Sequence, residues 1–255
     1  MDTALTIAGY DNSGGAGIVA DLRVFHRFGL YGVSVITALA VQNTFKVYEV
    51  FPVPLYTFRA ELKAVFDDFK IKGVKIGMLG NEEIALETYS FLKDKDIPVV
   101  LDPVLGSTSG TPLLTDEGVK ILKEKLIKIV YLITPNIPES ERLCEEKIES
   151  LKDVYECAKK ITSMGAKNVL IKGGHLDGEE AVDILYDGKD FYRFVSKRVK
   201  GKNPRGTGCV YSSAILSNLI KGKELTEAVK ISKEFITRAI EESIKLGKGG
   251  EIMIF

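Results

Sequence analysis

The feature that most constrains the fold is an alternation of short apolar runs, rich in Val and Ile, with longer amphipathic segments. The apolar runs predict strands at Ala4–Ala8, Val33–Val41, Val47–Val53, Val74–Ile76, Val99–Leu101, Val130–Ile133 and Val169–Ile171. The segments between them predict helices near residues 18–28, 56–68, 82–94, 116–127 and 151–164. Because the runs are almost continuously apolar, we expect strands that are covered on both faces. This alternation predicts a layered α/β fold with a mostly parallel central sheet.

The pattern changes after Lys172. Ala181–Tyr186 and Phe191–Val195 flank Asp187-Gly188, a pair of residues that strongly indicates a hairpin turn. Two helices are expected to follow, at about residues 207–220 and 224–246, with the second ending at Gly247. No linker or internal repeat divides the sequence, so residues 1–255 are interpreted as one domain.

Charge and residue supply exclude several classes of function. Lys+Arg and Asp+Glu number 35 each, and this balance gives no indication of nucleic acid or an acidic membrane surface as a partner. We expect no signal peptide at the N-terminus and no membrane-spanning run. The only histidines, His26 and His175, nearly exclude a histidine metal site or a Ser-His-Asp triad.

The cysteines are Cys144, Cys157 and Cys209, an odd number without CxxC spacing. This distribution argues against a disulfide framework and against a structural zinc site. It favours a reduced, cytoplasmic setting for the protein.

A glycine-rich turn, Ser13-Gly14-Gly15-Ala16-Gly17, follows the first predicted strand and precedes the first predicted helix. Gly15-x-Gly17-x-x-Ala20 formally fits the dinucleotide-binding fingerprint, so an oxidoreductase has to be considered. That fingerprint needs an acidic residue about 20 residues further on, and none lies between Leu22 and Tyr48. No GxxxxGKS or GxxxxGKT motif occurs, which excludes an ordinary P-loop. The turn is either structural or a loop whose backbone amides approach a ligand closely.

Four further segments fall at predicted strand ends or at a helix start: Asp102-Pro103-Val104, Thr134-Pro135-Asn136-Ile137-Pro138-Glu139, Lys172-Gly173-Gly174-His175 and Gly206-Thr207-Gly208-Cys209. In an open α/β sheet, the carboxyl ends of the strands form the ligand crevice. Asp102 and Glu139 are oxygen ligands suited to Mg²⁺, and Lys172 can offset phosphate charge. The Gly-Thr-Gly turn exposes backbone amides at a helix N-terminus, where an anion is favoured.

Each segment also has a purely structural interpretation. Asp-Pro and Asn-x-Pro are common turn and helix-cap sequences. Lys172 fits a solvated strand end, His175 fits a loop, and a lone Cys209 fits an inert, small apolar residue. The joint placement of the segments at one edge of the predicted sheet favours a site for phosphoryl transfer.

With these residues in view, the chain resembles a known family. Residues 8–18, AGYDNSGGAGI, resemble the N-terminal signature of the hydroxymethylpyrimidine/phosphomethylpyrimidine kinases of thiamine synthesis, members of the ribokinase superfamily. The resemblance continues in family order through Thr37-Ala38, Gln42-Asn43-Thr44, Lys75-Ile76-Gly77-Met78-Leu79, Asp102-Pro103-Val104, Thr134-Pro135-Asn136, Glu139, Lys172-Gly173-Gly174-His175 and Gly206-Thr207-Gly208-Cys209. It covers nearly the whole chain, and as a set these motifs are highly specific.

The resemblance implies a three-layer α-β-α ribokinase-like fold and usually a homodimer. It also implies an ATP- and Mg²⁺-dependent kinase that acts on 4-amino-5-hydroxymethyl-2-methylpyrimidine and then on its monophosphate. The pyrimidine would lie between Gly9, Asp11 and Ala16 of the glycine-rich turn and Gln42, with Met78 nearby. A side-chain amide suits this position because it both donates to and accepts from an aminopyrimidine edge.

The resemblance further implies the phosphate side of the site. Asp102 and Glu139 would hold Mg²⁺, Asn136 would organise the phosphates with them, and Lys172 would contact the phosphate chain. Gly206, Thr207 and Gly208 would bind the transferred phosphoryl group through their amides. Cys209 would take the proton of the substrate hydroxyl, since a thiol at a helix N-terminus can have a lowered pKa.

Three features leave alternatives open. Ser107-Thr108-Ser109-Gly110-Thr111 is either a flap that closes over the site or a solvated loop. Tyr10 stands where the family commonly has a small residue, which puts the shape of the pocket near Asp11 in question. Arg205 either adds a phosphate contact or is solvated.

The nearest alternative function is that of a pyridoxal or pyridoxine kinase, whose substrate is another hydroxymethyl heteroaromatic compound. The predicted flap contains no thiol that could trap an aldehyde, which favours the pyrimidine. A non-catalytic ligand-binding relative is a second alternative, against which the intact Asp102, Glu139, Lys172 and Cys209 argue. The dinucleotide-dependent oxidoreductase is the most distant.

Overall fold

The structure is a computed structural model that describes residues 1–107, 110–173 and 178–255. Its strands, in chain order, are β1 (Thr3–Asp11), β2 (Tyr31–Gln42), β3 (Val47–Pro52), β4 (Ile71–Ile76), β5 (Val99–Leu101), β6 (Leu132–Ile133), β7 (Val169–Ile171), β8 (Glu180–Tyr186) and β9 (Phe191–Lys197). The helices are α1 (Gly17–Arg27), α2 (Leu55–Asp68), α3 (Glu82–Leu92), α4 (Asp116–Glu124), α5 (Ile137–Cys144), α6 (Leu151–Ser163), α7 (Thr207–Ile220) and α8 (Leu225–Glu241). A short 3-10 helix, Leu126–Ile129, follows α4.

The strands form one sheet in the order β3-β2-β1-β4-β5-β6-β7-β8-β9. Neighbouring strands in the run β2-β1-β4-β5-β6-β7 pair in parallel. At one edge β3 pairs antiparallel with β2, and at the other edge β8 pairs antiparallel with β7 and with β9. The prediction of a mostly parallel central sheet is therefore confirmed, as is the hairpin around Asp187-Gly188.

Helices cover both faces of the sheet, which makes three layers. One apolar cluster joins the sheet to the helices from α2 to α6, and a second joins it to α1, α7 and α8. Strand β5 illustrates the arrangement, since Val99 and Leu101 belong to the first cluster and Val100 to the second. Successive strand residues point to opposite faces, so a continuously apolar run is what two covered faces require.

Most predicted helix boundaries agree with the structure within about three residues, and the two larger differences are the end of the last helix and a helix that was not predicted. The helix predicted at 224–246 ends at Glu241 rather than at Gly247. Helix α5 was not predicted, because Asn136-Ile137-Pro138-Glu139 was interpreted only as a strand end with cap chemistry. The segment does begin a helix: Asn136 is its N-cap, and a proline is tolerated in the first helical turn.

The prediction that argued against a disulfide is wrong. Cys144 at the end of α5 and Cys157 in α6 are joined by a disulfide bond, and their Cα atoms lie 5.9 Å apart. Both cysteines are buried in the cluster that packs these helices against the sheet. The pairing depends on how α5 packs on α6, which the spacing of cysteines along the chain does not reveal. The cysteines therefore lend no support to a reduced setting.

No helix among the described residues is long and apolar enough to cross a membrane.

Candidate active site

The predicted site segments converge at the carboxyl edge of the parallel strands. Asp102 directly follows β5, and Thr134 to Asn136 follow β6. Lys172 follows β7 and forms an isolated parallel bridge with Asn136. The N-terminus of α7, which carries the Gly206–Cys209 turn, lies at the same edge, as the contacts of Gly208 described below establish. The parallel topology thus brings together side chains that are far apart in sequence.

The centre of the site is an ion pair between Lys172 and Asp102. The Lys172 Nζ lies 2.6 Å from Asp102 Oδ1, and both side chains are largely buried. Thr134 Oγ1 donates a weaker hydrogen bond, of 3.3 Å, to the same oxygen. Burial opposes the charge of Lys172, but the carboxylates of Asp102 and Glu139 raise its pKa above the ordinary value. Lys172 is therefore a fixed cation at the end of β7.

Asn136 and Glu139 form a capping box at the N-terminus of α5. The Asn136 Oδ1 accepts a hydrogen bond of 2.9 Å from the Glu139 amide, and Glu139 Oε2 accepts one of 2.8 Å from the Asn136 amide. Burial, opposed by Lys172 and reinforced by Asp102, raises the pKa of Glu139 to about 7. The capping geometry holds this carboxylate close enough to Asp102 for the two charges to repel each other.

The Gly206–Cys209 turn packs against the glycine-rich turn. Gly206 has a φ of 78°, a conformation that glycine adopts readily, and it is the N-cap of α7. A Cβ placed on Gly206 would lie 2.1 Å from the Gly15 carbonyl oxygen and 3.0 Å from the Ala16 Cα. Thr207 is the first residue of α7 and is partly exposed. The turn predicted to bind the phosphoryl group is thus in direct contact with the glycine-rich turn predicted to lie beside the pyrimidine.

Gly208 marks the space where an anion fits. A Cβ on Gly208 would lie 2.9 Å from Asp102 Oδ2 and 3.1 Å from Lys172 Nζ. Only a residue without a side chain leaves the α7 amides open toward the lysine ammonium. A cation and a helix N-terminus therefore face the same small volume.

Cys209 is the free cysteine of the three and is partly exposed. Although the residue keeps some exposure, desolvation of the thiol by the surrounding protein raises its pKa to about 11, while Lys75 and a hydrogen bond with the Gly17 backbone act in the opposite direction. The prediction of a lowered thiol pKa is therefore wrong for this structure. Placing the residue at a helix N-terminus does not offset the surrounding protein and the nearby carboxylates of Asp21 and Asp102.

Asp11 organises the glycine-rich turn. Its Oδ1 accepts from the Ser13 amide and hydroxyl, both at 2.7 Å, and its Oδ2 accepts from the Ala16 amide at 2.9 Å. The residue is buried at the end of β1. Asp11 and Ala16, both predicted to bind substrate, are therefore bonded to each other, and the carboxylate fixes the shape of the loop.

Gly9 and Met78 lie side by side. A Cβ on Gly9 would be 2.2 Å from the Met78 Cε, so the methionine packs directly on the glycine. Met78 belongs to a small apolar cluster with Ala38, Ala40 and Leu113. This cluster lies on the same face of β2 as Gln42, which alternates with exposed residues.

Tyr10 does not enter the pocket. It is exposed and pairs with Leu39 of β2, on the face of β1 opposite to that of Asp11. Strand alternation therefore directs the Tyr10 side chain away from the face of β1 on which Asp11 is buried.

Arg205 is partly buried and donates hydrogen bonds to the protein. Its Nη2 donates to Gln42 Oε1 at 2.5 Å, and its Nη1 donates to the Asn43 carbonyl oxygen at 2.5 Å. The arginine thus links the turn before α7 to the end of β2. Sequence reasoning singled out both Arg205 and Gln42 but did not connect them.

A buried ion pair beneath the site was also missed. Lys75 of β4 lies 2.8 Å from Asp21 of α1, and neither side chain reaches solvent. Asp21 also accepts hydrogen bonds from Thr6 and from Ser213 of α7. The signal in the sequence was Lys75 between the apolar residues Val74 and Ile76, since a lysine at a buried strand position is rare without a buried partner.

The site offers a magnesium ion two carboxylate ligands, those of Asp102 and Glu139. Among residues 1–107, 110–173 and 178–255, no cluster of three or more His, Cys, Asp or Glu side chains could hold a metal ion. Asp102 and Glu139 lie close enough for Asp102 to raise the pKa of Glu139, and a cation would relieve that repulsion. Mg²⁺ commonly uses one or two carboxylates and completes its shell with water and phosphate oxygens. The donor set therefore matches Mg²⁺ bound together with a phosphate ligand.

Two predictions lie outside the described residues. The suggested flap includes Thr108 and Ser109, and the KGGH segment includes Gly174 and His175, none of which the structure describes.

The chain is similar to proteins of one enzyme family over its whole length. The sequence profile of the family described as phosphomethylpyrimidine kinase matches residues 11–253. A hydroxymethylpyrimidine/phosphomethylpyrimidine kinase from Aquifex aeolicus is 64% identical over 253 residues, which are 99% of this chain and 99% of the relative.

Two solved structures show the same similarity. The phosphomethylpyrimidine kinase of Clostridium difficile superimposes with a TM-score of 0.83 at 46% identity, covering 94% of this chain and all of the other. The ADP complex of Bacillus subtilis pyridoxal kinase superimposes with a TM-score of 0.91 at 37% identity, covering 99% of this chain and 96% of the other.

Proposed function

This chain belongs to the phosphomethylpyrimidine kinase family, and from that membership we propose that it phosphorylates 4-amino-5-hydroxymethyl-2-methylpyrimidine with ATP. It then phosphorylates the monophosphate to the diphosphate, in thiamine biosynthesis. The observation that carries the proposal is the convergence of Lys172, Asp102 and Gly208 at the N-terminus of α7.

The transferred phosphoryl group is placed at that N-terminus. The amides of Gly206, Thr207 and Gly208 point outward from the first turn of α7 and would donate hydrogen bonds to its oxygens. Lys172 is a permanently charged neighbour and would leave its ion pair with Asp102 to contact the phosphate chain. Because the α7 amides are already in place, they would stabilise the charge of the transition state without rearrangement, whereas Lys172 would first have to leave Asp102.

Magnesium is assigned to Asp102 and Glu139. When bound, the ion would neutralise charge on the phosphate oxygens. The Asp102 Oδ2, which is free of the Lys172 contact, faces Gly208 and the anion space. Asn136 holds Glu139 in place through the capping box, so this asparagine orients a ligand and does not need to contact the metal itself.

Cys209 is assigned the role of proton acceptor from the substrate hydroxyl. The thiol follows the anion-binding turn, with the cation of Lys75 and the Gly17 amide as the groups that favour its thiolate. Because its pKa is about 11, little thiolate is present at neutral pH, and the reaction should accelerate as the pH rises.

The pyrimidine ring is assigned to the space beside the glycine-rich turn. Gly9, Asp11 and Ala16 shape that turn, Met78 packs against Gly9, and Gln42 lies on the same face of β2. The contact between Gly206 and Gly15 joins this space to the anion site, as in-line transfer to a hydroxymethyl group requires.

A pyridoxal kinase activity is the second candidate. The observation in its favour is the extent of the similarity to the Bacillus subtilis pyridoxal kinase, which covers nearly all of both chains. Pyridoxal, like the pyrimidine alcohol, carries a hydroxymethyl group on a nitrogen heterocycle, so the same phosphate-binding residues would serve for its phosphorylation.

Release of ADP, measured side by side with the pyrimidine alcohol, its monophosphate and pyridoxal, tests the proposal. We expect turnover with both pyrimidines that exceeds turnover with pyridoxal. Turnover with pyridoxal alone would make the second candidate correct and leave the phosphate site unchanged. Absence of turnover with any alcohol, in the presence of ATP and Mg²⁺, would indicate a non-catalytic binding protein.

The proposal includes a homodimer that is joined through the exposed face of the β1-β2-β3 edge. Tyr10, Leu39 and Phe51 lie directly across from one another in the strand register, and all three are exposed. An apolar row on an open sheet face is typical of a protein interface. Light scattering after gel filtration tests this dimer. Phe51→Asp should give a monomer, whereas Leu86→Asp, at an exposed position of α3, should leave the dimer intact. A monomeric wild type would refute the dimer.

The proposed location is the cytoplasm, where ATP is abundant. The buried Cys144–Cys157 disulfide is unusual for that compartment, so the location rests on the substrate alone.

A further inference from the structure

Arg205 connects the two halves of the proposed site. It immediately precedes Gly206, the N-cap of α7, and its guanidinium reaches across to the end of β2. There it donates one hydrogen bond to Gln42 Oε1 and another to the Asn43 carbonyl oxygen, each 2.5 Å long. A guanidinium that donates hydrogen bonds to two acceptors in this way has a fixed orientation.

This contact determines which way the Gln42 amide faces. The oxygen and nitrogen of a glutamine amide have almost the same shape, so their assignment follows from their hydrogen-bond partners. A guanidinium has donors and no acceptor, so only the oxygen of Gln42 can face Arg205. The amide NH₂ group must therefore lie on the side away from Arg205.

The NH₂ group of Gln42 is left for another partner. Among the described residues, no hydrogen-bond acceptor is found for Gln42 Nε2, and this nitrogen is not one of the buried polar atoms that lack a partner, so it is open to solvent or to a ligand. Gln42 lies on the same face of β2 as Ala38 and Ala40, which pack around Met78. The free donor therefore belongs to the part of the site assigned to the substrate ring.

The backbone around Gln42 is held independently of Arg205. The backbone amide of Gln42 donates to Asn12 Oδ1 at 2.9 Å, and Asn12 lies next to the glycine-rich turn. Thr44 is fixed from the other side, since its hydroxyl and carbonyl oxygens accept hydrogen bonds from the Gly249 and Gly250 amides. Loss of the Arg205 side chain would therefore free the side-chain amide of Gln42 to rotate while the backbone of the strand stays in place.

We propose that Arg205 is a positioning residue that sets substrate specificity: it holds the Gln42 amide so that its NH₂ group donates to an acceptor atom of the substrate ring. The ligand class is a heteroaromatic alcohol with an unprotonated ring nitrogen at that position. Because Oε1 has two lone pairs and Arg205 occupies only one, the fixed amide presents the NH₂ group as a donor and keeps one lone pair of Oε1 as an acceptor. The inference rests on the proposed function, because it needs a ring in the space next to Met78.

A double-mutant cycle with Arg205→Met and Gln42→Met tests this role, using ATP and the pyrimidine alcohol as substrates. We expect Arg205→Met to raise KM for the alcohol by about tenfold, the usual effect of losing a hydrogen bond that involves a charged group. KM for ATP should stay within about twofold, since the arginine contacts no phosphate-binding residue through its side chain. In the Gln42→Met background, Arg205→Met should have almost no further effect on KM for the alcohol. Arg205→Lys, which can still donate to Oε1, should recover part of the loss.

Two results would overturn the proposal. A rise in KM for ATP in Arg205→Met would make the arginine a phosphate ligand. Effects of the two substitutions that multiply, instead of overlapping, would show that Arg205 does not act through Gln42. The thermal midpoint of each variant separates both results from loss of folding.

The substrate that the wild-type protein turns over shows whether the proposed function holds, and the mutant cycle shows whether Arg205 acts through Gln42. If only pyridoxal is a substrate, the pyrimidine assignment fails, and the cycle is measured with pyridoxal, for which the same overlap of effects is required.

Discussion

The Lys75 ammonium group lies 2.8 Å from Asp21 Oδ2, and both side chains are entirely buried. Asp21 has a further hydrogen bond from Ser213 of α7, the helix whose N-terminus we propose binds the phosphoryl group. Although burial opposes it, the charge of Asp21, together with Cys209 and Asp102, raises the pKa of Lys75 well above the ordinary value. The lysine is therefore a permanent charge that ties β4 to α1 and α7.

Lys75→Met should lower the free energy of unfolding by about 3–5 kcal/mol, because it leaves the Asp21 carboxylate buried without its cation. Urea denaturation measures the change. The matched control is Lys63→Met, which breaks an exposed pair with Asp67 on α2 and should change stability by less than about 1 kcal/mol. Equal effects of the two substitutions would mean that the buried pair contributes no more than a surface pair.

Gly208→Ala should lower kcat/KM by about 100-fold while the fold stays intact, because displacing bound reactants by a fraction of an ångström carries a penalty of that size. The added Cβ would lie 2.9 Å from Asp102 Oδ2 and 3.1 Å from Lys172 Nζ, within the space assigned to the phosphoryl group. Steady-state kinetics with ATP and the pyrimidine alcohol provide the measurement.

The control for Gly208→Ala is Lys152→Ala, at the corresponding second position of α6 on the exposed surface. It should leave kcat/KM unchanged. A Gly208→Ala enzyme with wild-type kinetics would move the phosphate site away from the start of α7.

Cys209→Ala should lower kcat by about 10² to 10⁴, the usual loss when a general base is removed. Cys209→Asp should recover part of this loss, because a carboxylate can also accept the proton. Turnover within a few-fold of wild type in Cys209→Ala would remove the thiol from the mechanism.

The pH dependence of kcat follows from the pKa of the Cys209 thiol. Because burial raises that pKa to about 11, the thiolate fraction, and with it kcat, should rise continuously from pH 7 to pH 10. In Cys209→Asp the base is ionised throughout this range, so its profile should be flat. A wild-type profile that already reaches a plateau near pH 8 would contradict the raised pKa.

Reduction of the Cys144–Cys157 disulfide should lower the free energy of unfolding by about 2–4 kcal/mol, the usual contribution of a disulfide. Urea denaturation with and without a thiol reductant detects the difference. The double variant Cys144→Ala/Cys157→Ala should be insensitive to reductant, whereas Cys209→Ala should respond like wild type. A wild-type midpoint that is the same under both conditions would show that the disulfide does not form in solution.

The sheet and the meeting of Asp102 with Lys172 could be predicted from the sequence because both follow from local patterns. Val99–Leu101 and Val169–Ile171 are strands with the predicted bounds, since a short apolar run between polar turns has few other structures available. Asp102 and Lys172 come directly after these strands, and a parallel sheet places such residues at one edge. Their meeting at 2.6 Å is therefore a consequence of topology.

The features that the sequence did not reveal depend on contacts between distant segments. Cys144 and Cys157 pair only because α5 packs on α6. Arg205 and Gln42 are 163 residues apart, and nothing in either local sequence indicates their bond. The pKa of Cys209 was predicted in the wrong direction because helix position is visible in the sequence, whereas burial beside Asp21 and Asp102 is not.

Helix α5 was missed for a different reason. It spans only 8 residues, which is too short for helical periodicity to stand out from its neighbours. Its start was nevertheless visible as Asn136 followed three residues later by Glu139, the spacing of a capping box.

The central claim is that this protein adds two phosphoryl groups in succession to the pyrimidine alcohol, and phosphorus NMR of a single reaction mixture tests it most directly. With purified protein, ATP, Mg²⁺ and the alcohol, we predict a monophosphate signal that rises first and then falls as a diphosphate signal grows. A mixture in which ADP and inorganic phosphate accumulate without either phosphorylated pyrimidine would contradict the account.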